Sequence, residues 1–223
     1  MPTLLRLDSS LYSSQGVSSQ LTDLFTRQWV ESHPDTRVIY RDLSVSPPPH
    51  LDAGYMDGLA LKPGQRTEDQ QRRVDAADIL IEEVRQAEVL VIGLPLYNFG
   101  IPSTLKAWFD HISRAGETFY YEESGPVGML SGRRVFALST RGDEVKASAR
   151  DPQTDHVKEI LNFLGITDIQ FIYAGGLTID DQSREAGMTE AKKQIARHTT
   201  PGSNRAQSQK SGAPGYDTTQ RET

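Results

Sequence analysis

Apolar and polar positions alternate in two rhythms along this chain. Short apolar runs bounded by turn residues occur at Thr3–Leu7, Arg37–Tyr40, Val89–Leu94, Arg134–Ser139 and Ile169–Ala174, and each reads as a strand. Between them, apolar side chains recur every three or four residues, the spacing of one helix face. Leu21, Leu24, Phe25 and Trp29 form one such set, and Val74, Ala77, Ile81 and Val84 a second. Ile101, Leu105, Trp108, Phe109 and Ile112 form a third, and Val157, Ile160, Leu161 and Leu164, closed by Gly165, a fourth. A final helix is expected over Ser183–Arg197. Ser18 or Ser19 is the expected cap of the first helix, and Thr67-Glu68-Asp69-Gln70 has the form of a capping box. Ser44–Gln65, with its three prolines at 47–49, and Thr118–Gly132 read as irregular connections.

Five strands alternating with helices predict an α/β domain, a five-stranded parallel sheet with helices on both faces. Right-handed crossovers leave few strand orders, and one of them is 2-1-3-4-5, with a ligand at the switch point between the first and third strands. The sheet and its helices end near Arg197. From His198 onward almost no apolar side chain appears, so 1–197 is expected to be the domain and 198–223 a disordered tail.

In that order three loops meet at the carboxyl edge of the sheet. The first, Asp8–Gln20, is crowded with hydroxyls and runs into a helix start, where free N–H groups and a partial positive charge favour phosphate and Ser10, Ser18 and Ser19 offer hydroxyl donors. A plain serine-rich turn with a cap is an equal reading of the same residues. The second, Tyr97-Asn98-Phe99, follows a buried strand and offers two aromatic faces, an amide and backbone N–H groups, which suit a flat ring with a polar edge. The third, Thr140-Arg141-Gly142-Asp143, offers a glycine that permits close backbone approach and a cation that would stabilise negative charge.

Composition narrows the chemistry. No cysteine is present, which excludes disulfides, thiolate nucleophiles and iron–sulfur clusters, so redox activity requires a bound cofactor. The net charge of −6 argues against nucleic acid and anionic membranes as partners. No apolar stretch nears the roughly 20 residues of a membrane span, and no secretory signal opens the chain, so a cytoplasmic location is expected. His33, His50, His111, His156 and His198 form no metal-binding pair, and neither a dinucleotide fingerprint, a P-loop nor a nucleophile elbow occurs.

Leu94-Pro95-Leu96-Tyr97-Asn98-Phe99, then Ser103-Thr104-Leu105-Lys106 with Phe109-Asp110, resemble one family closely. Arg114-Ala115-Gly116 with Thr118-Phe119, Gly125-Pro126, Ser139-Thr140-Arg141-Gly142 and Leu164-Gly165-Ile166-Thr167-Asp168 add to the match, which covers about residues 3–196. The resemblance is to the FMN-dependent NADH azoreductases, also described as NADH:quinone oxidoreductases, of the flavodoxin-like superfamily. It implies a flavodoxin-like three-layer sandwich and a homodimer with FMN at the subunit interface. By position, Ser10, Gly16, Val17 and Ser18 would hold the phosphate, and Leu96, Tyr97, Asn98 and Phe99 the isoalloxazine. Thr140, Arg141, Gly142 and Asp143 would meet its pyrimidine edge, and Phe119 and Tyr120 would cover substrate. The implied reaction passes two electrons from NADH, or NADPH, through flavin to a quinone or azo compound by a ping-pong scheme. It needs no dedicated catalytic side chain and no metal. A flavodoxin-type electron carrier, an FMN reductase and a flavin-free regulator are the alternatives. The chain departs from the family at Gly16, where a serine is frequent, with Ser13 or Ser14 as candidate substitutes, and at Asp143, where glycine is common.

Overall fold

A computed structural model describes residues 1–144 and 151–200. The strands are β1 (Thr3–Asp8), β2 (Arg37–Asp42), β3 (Val89–Pro95), β4 (Phe119–Glu122), β5 (Gly125–Gly128), β6 (Arg134–Thr140) and β7 (Asp168–Ala174). The α-helices are α1 (Val17–Ser32), α2 (Ala53–Ala60), α3 (Glu68–Gln86), α4 (Ser103–Ile112), α5 (Pro152–Phe163) and α6 (Asp181–Thr199). Five strands form one parallel sheet in the order β2-β1-β3-β6-β7. Counting only these five, the order is the expected 2-1-3-4-5.

All seven residues of β3 are buried, because helices cover both faces of the central strand. Successive side chains then serve opposite layers. Val89 and Val91 join Phe136 and Leu138 of β6 and Leu21, Phe25 and Trp29 of α1, with Ala191 and Ile195 of α6. Leu90, Ile92 and Leu94 join Val135 and Ala137 of β6 and Leu80, Ile81 and Val84 of α3. Trp108 and Phe109 of α4 and Val157 and Leu161 of α5 complete that second layer.

Several boundaries differ from the sequence reading. The first helix begins at Val17, with Gly16 in the cap position and no side-chain cap, so Ser18 and Ser19 lie in its first turn and do not precede it. The Thr67–Gln70 capping box is formed in both directions, at 3.2 and 3.0 Å. α2 lies inside the segment expected to be irregular. It contains two glycines and is short, so its face pattern is weak. Asp52 caps it by accepting from the Tyr55 amide at 2.9 Å, and Tyr55 packs with Val74 and Ala77 of α3. Thr118–Gly132 contains the antiparallel β4–β5 hairpin. α6 extends past the expected Arg197 to Thr199, and the His198 ring lies 5.2 Å from that of Phe136. Residues 201–223 of the expected tail lie outside the described residues.

Phe136 is fully buried, with the Phe25 ring 4.6 Å away and Trp29 at 6.1 Å. Truncation there opens a cavity against two helices. Phe136→Ala is expected to lower the unfolding free energy by about 3–5 kcal/mol. Urea denaturation followed by circular dichroism measures it, and a loss under 1 kcal/mol would contradict the packing described.

Candidate functional site

Three loops converge at the carboxyl edge, and hydrogen bonds lock each to the strand beside it. After β1, the Ser9 hydroxyl donates to the Gly93 carbonyl of β3 at 2.6 Å. Ser10 is buried, and its Oγ accepts from the Tyr12 amide at 3.2 Å and lies 3.5 Å from the Tyr97 hydroxyl. A 3-10 turn over Ser13–Gln15 then leads to Gly16. A Cβ at Gly16 would lie 2.0 Å from Ser10 Oγ, so the space of a residue-16 side chain is filled by the Ser10 hydroxyl. α1 opens directly behind, with the N–H groups of Val17, Ser18 and Ser19 free of helical acceptors. Ser18 and Ser19 are at most 1% exposed, and neither hydroxyl has a hydrogen-bond partner among the described residues. Buried hydroxyls are seldom left unpaired, so this pair, at a helix N-terminus, fits an anion with acceptor oxygens.

Ser13, at φ 49°, turns its hydroxyl to Asp42 at the end of β2. It is therefore engaged away from the helix start, while Ser14 is exposed. Asp42 also accepts from the amide and hydroxyl of Ser44 at 2.8 and 2.7 Å. Burial works to raise its pKa, but the Ser13 and Ser44 bonds outweigh it and hold the carboxyl below its usual range.

After β3, Tyr97 and Gly100 exchange backbone hydrogen bonds of 3.2 and 3.0 Å around Asn98 and Phe99. Both central residues have positive φ, 49° and 64°, which makes a type I′ turn built without glycine at its centre. The amides of Asn98 and Phe99 donate to nothing within the described residues, and Phe99 is 83% exposed. The turn thus presents two N–H groups and an aromatic face.

After β6, Thr140 accepts the Leu96 amide at 2.9 Å, joining the second and third loops. The carbonyls of Arg141, Gly142 and Asp143 accept from the amides of Leu177, Thr178 and Gly176 at 3.1, 3.1 and 2.7 Å. The Arg141 guanidinium pairs with Asp151, donates to Ser139 Oγ at 3.2 Å and lies 5.0 Å from the Tyr173 ring centre. Its charge is therefore held by the protein. Asp143 is exposed, and its carboxylate has no bonded partner among the described residues.

Residues 2–199 match the family model described as Flavodoxin-like fold. The chain belongs to this flavodoxin-like family, Flavodoxin_2. Within the family it is 45% identical over 198 residues to the FMN-dependent NADH:quinone oxidoreductase of Cellvibrio japonicus (strain Ueda107), covering 88% of this chain and 100% of that one. It is 40% identical over 196 residues to FMN-dependent NADH:quinone oxidoreductase 2 of Pseudomonas fluorescens (strain Pf0-1), covering 88% and 98%. Among solved structures, an azoreductase from Bacillus anthracis str. Sterne superposes with a TM-score of 0.80 at 25% identity, over 89% of this chain and 99% of that one. An FMN-dependent NADH-azoreductase from Bacillus anthracis str. Ames Ancestor, in complex with FMN, gives 0.79 at 26% identity, over 90% and 100%.

In this member of the flavodoxin-like family the structure brings Ser10, Gly16, Val17, Ser18, Leu96, Tyr97, Asn98, Phe99 and Thr140–Asp143 to one edge. Phe119 and Tyr120 lie elsewhere. The hairpin is anchored at the amino edge, where Leu130 donates to the Leu164 carbonyl at 2.9 Å and Phe119 packs on Phe163 at 4.5 Å. Phe119 also lines a concavity of about 730 Å³ with Tyr55, Leu59, Asp78 and Arg114, away from the three loops. The reading of the sequence missed Gln153 at the loop edge. Ser19 was legible as a cap and as a hydroxyl donor to an anion, whereas Gln153 gave no signal before the fold placed it. Among the described residues no group of three or more His, Cys, Asp or Glu could hold a metal, and no helix is long and apolar enough to cross a membrane.

Asp151 caps α5 and pairs with Arg141. Burial pushes its pKa up, and bonds from Thr154 and Arg141 overcome this and hold the carboxyl below its usual range. A depressed folded pKa gives stability that is present above the unfolded value, about 3.9, and lost as pH falls through the folded one. Asp151→Asn is therefore expected to destabilise the protein at pH 7, with the gap from wild type narrowing below about pH 4. Urea titrations at several pH values test this, and a pH-independent gap would contradict it.

Proposed function

We propose that the protein is an FMN-dependent NADH:quinone oxidoreductase that also reduces azo compounds. The observation that carries this is the meeting, at one sheet edge, of an open helix N-terminus holding unpaired Ser18 and Ser19 hydroxyls with the two free amides of the Tyr97–Gly100 turn. The first suits a phosphate and the second the polar edge of a flat ring. Relatives named for FMN and NADH at 40–45% identity support the same reading.

In this reading Ser10, Gly16, Val17 and Ser18 hold the phosphate. Leu96–Phe99 support the isoalloxazine, with Phe99 as its aromatic neighbour, and Thr140–Asp143 border the pyrimidine. Bound FMN supplies a two-electron carrier between a reduced nicotinamide and a quinone or azo acceptor. The chain's own residues bind and orient it, and none serves as a dedicated acid or base. The Ser10 hydroxyl, filling the space at Gly16, takes the place of the serine frequent in the family. Arg141 is neutralised by Asp151, so the backbone, not this guanidinium, is the donor set facing the ring. The donor and acceptor would use one open face in turn, a ping-pong scheme. The amino-edge position of Phe119 and Tyr120 keeps them from this face within one chain, so in this reading they reach it from a second copy, in a cytoplasmic homodimer.

Flavin extraction from purified protein, followed by steady-state assays with NADH and NADPH against a quinone and an azo dye, tests the activity. Bound FMN, parallel-line kinetics and a dimeric mass by light scattering are expected. Colourless protein that gains no activity with added FMN would refute the reading. Ser18→Ala carries a second, opposite-signed expectation. It removes an unsatisfied buried group, so the ligand-free protein should gain about 1 kcal/mol of stability, while FMN binding weakens about tenfold. Thermal unfolding and flavin fluorescence quenching read the two effects, and a loss of stability without loss of affinity would contradict the assignment.

A further inference from the structure

Gln153 lies in the first turn of α5 and is fully buried. Its Nε2 donates to the Pro95 carbonyl at 2.9 Å and to the Gly100 carbonyl at 3.2 Å. Its Oε1 accepts the Ser139 hydroxyl at 3.0 Å. Pro95 is the last residue of β3, Gly100 closes the Tyr97–Gly100 turn, and Ser139 is the penultimate residue of β6. One amide therefore joins the strand that enters the turn, the residue that leaves it, and the neighbouring strand. Ser139 Oγ also accepts from Arg141 Nε at 3.2 Å, which extends the chain into the third loop.

The residue type follows from the partners. Two carbonyl oxygens require two N–H donors from one group, and the third partner requires an acceptor beside them. A primary amide meets all three demands, a carboxylate offers no donor, and a thioether offers none. Asparagine carries the same group on a side chain shorter by one methylene. The demand is strict because Asn98 and Phe99 both sit at positive φ, and two successive non-glycine residues hold that conformation only where their surroundings fix it.

We propose that Gln153 is a positioning residue for the flavin site. It sets the Tyr97–Gly100 turn so that the amides of Asn98 and Phe99 face outward as a pair. This rests on the proposed function for the ligand, but the positioning itself is a property of the ligand-free chain.

Two variants separate positioning from simple loss of packing. Gln153→Met keeps the volume and removes every donor. Gln153→Glu keeps the shape but sets a carboxylate against two carbonyl oxygens, and protonation at low pH restores one donor. FMN dissociation constants of the apoproteins are measured by fluorescence quenching from pH 5.5 to 8.5, each divided by the wild-type value at that pH. For Gln153→Met the ratio is expected to be about tenfold at every pH, the scale of one buried hydrogen-bonded group. For Gln153→Glu it is expected to exceed that at pH 8.5 and to fall several-fold by pH 5.5. A ratio near one for both variants, or one that ignores pH in Gln153→Glu, overturns the proposal. Amide hydrogen exchange in the ligand-free proteins gives an independent readout. Tyr97 and Gly100 are expected to exchange about tenfold faster in Gln153→Met, while Phe25 of α1 is unchanged. Equal rates at Tyr97 and Gly100 overturn the positioning role. Failure of the wild type to bind FMN overturns the functional reading alone and leaves the exchange result decisive for Gln153.

Discussion

Everything at the carboxyl edge depends on β3 being buried along its whole length. A strand covered on both faces and paired on both sides has no freedom in register, so its end is a fixed point. Its neighbours are pinned to it residue by residue, from Val89 opposite Arg134 to Pro95 opposite Thr140 on one side and from Leu4 opposite Val89 on the other. The loops inherit that rigidity. Ser9 reaches β3 at Gly93, and Leu96 reaches β6 at Thr140. Loop residues with unfavourable backbone geometry can then be held in place, because the scaffold beneath them cannot yield.

The polar groups near the edge divide into two classes. Some are held by the protein: Asp42 by Ser13 and Ser44, Arg141 by Asp151, and Gln153 by three partners. Others are unpaired among the described residues: the Ser18 and Ser19 hydroxyls and the amides of Asn98 and Phe99. The first class shapes the loops, and the second is where a ligand would bind. Titratable side chains fall largely in the first class. That matches a site whose chemistry comes from a cofactor and whose protein part is geometry and hydrogen bonding.

Much of this was legible in the sequence because β3, α1 and α4 carry strong periodic patterns, and periodicity fixes both element type and inward face. Glu88–Gly116 showed a buried strand passing into a loop and a helix without ambiguity. α2 was hidden because Tyr55 and Gly58 are its only buried residues, so no face pattern develops over eight positions. The hairpin was hidden because Gly125 and Pro126 read as a turn, whereas Pro126 lies in β5 opposite Tyr121. The start of α1 was misplaced because serine is a strong capping residue, and only the fold shows that both serines are buried, Ser18 against Gly93 of β3, with no hydroxyl partner among the described residues. Gln153 was invisible for a related reason. A lone polar residue near a helix start reads as exposed until its three partners, distant in sequence, are brought around it.

The unpaired serine hydroxyls bear on how long the molecule survives as well as on what it binds. A ligand that satisfies them binds the folded chain and not the unfolded one, so it adds to stability in proportion to the logarithm of its concentration over its dissociation constant. Empty protein would open and be degraded more often than loaded protein. The steady-state amount of this protein would then follow the supply of flavin, with no dedicated regulator involved.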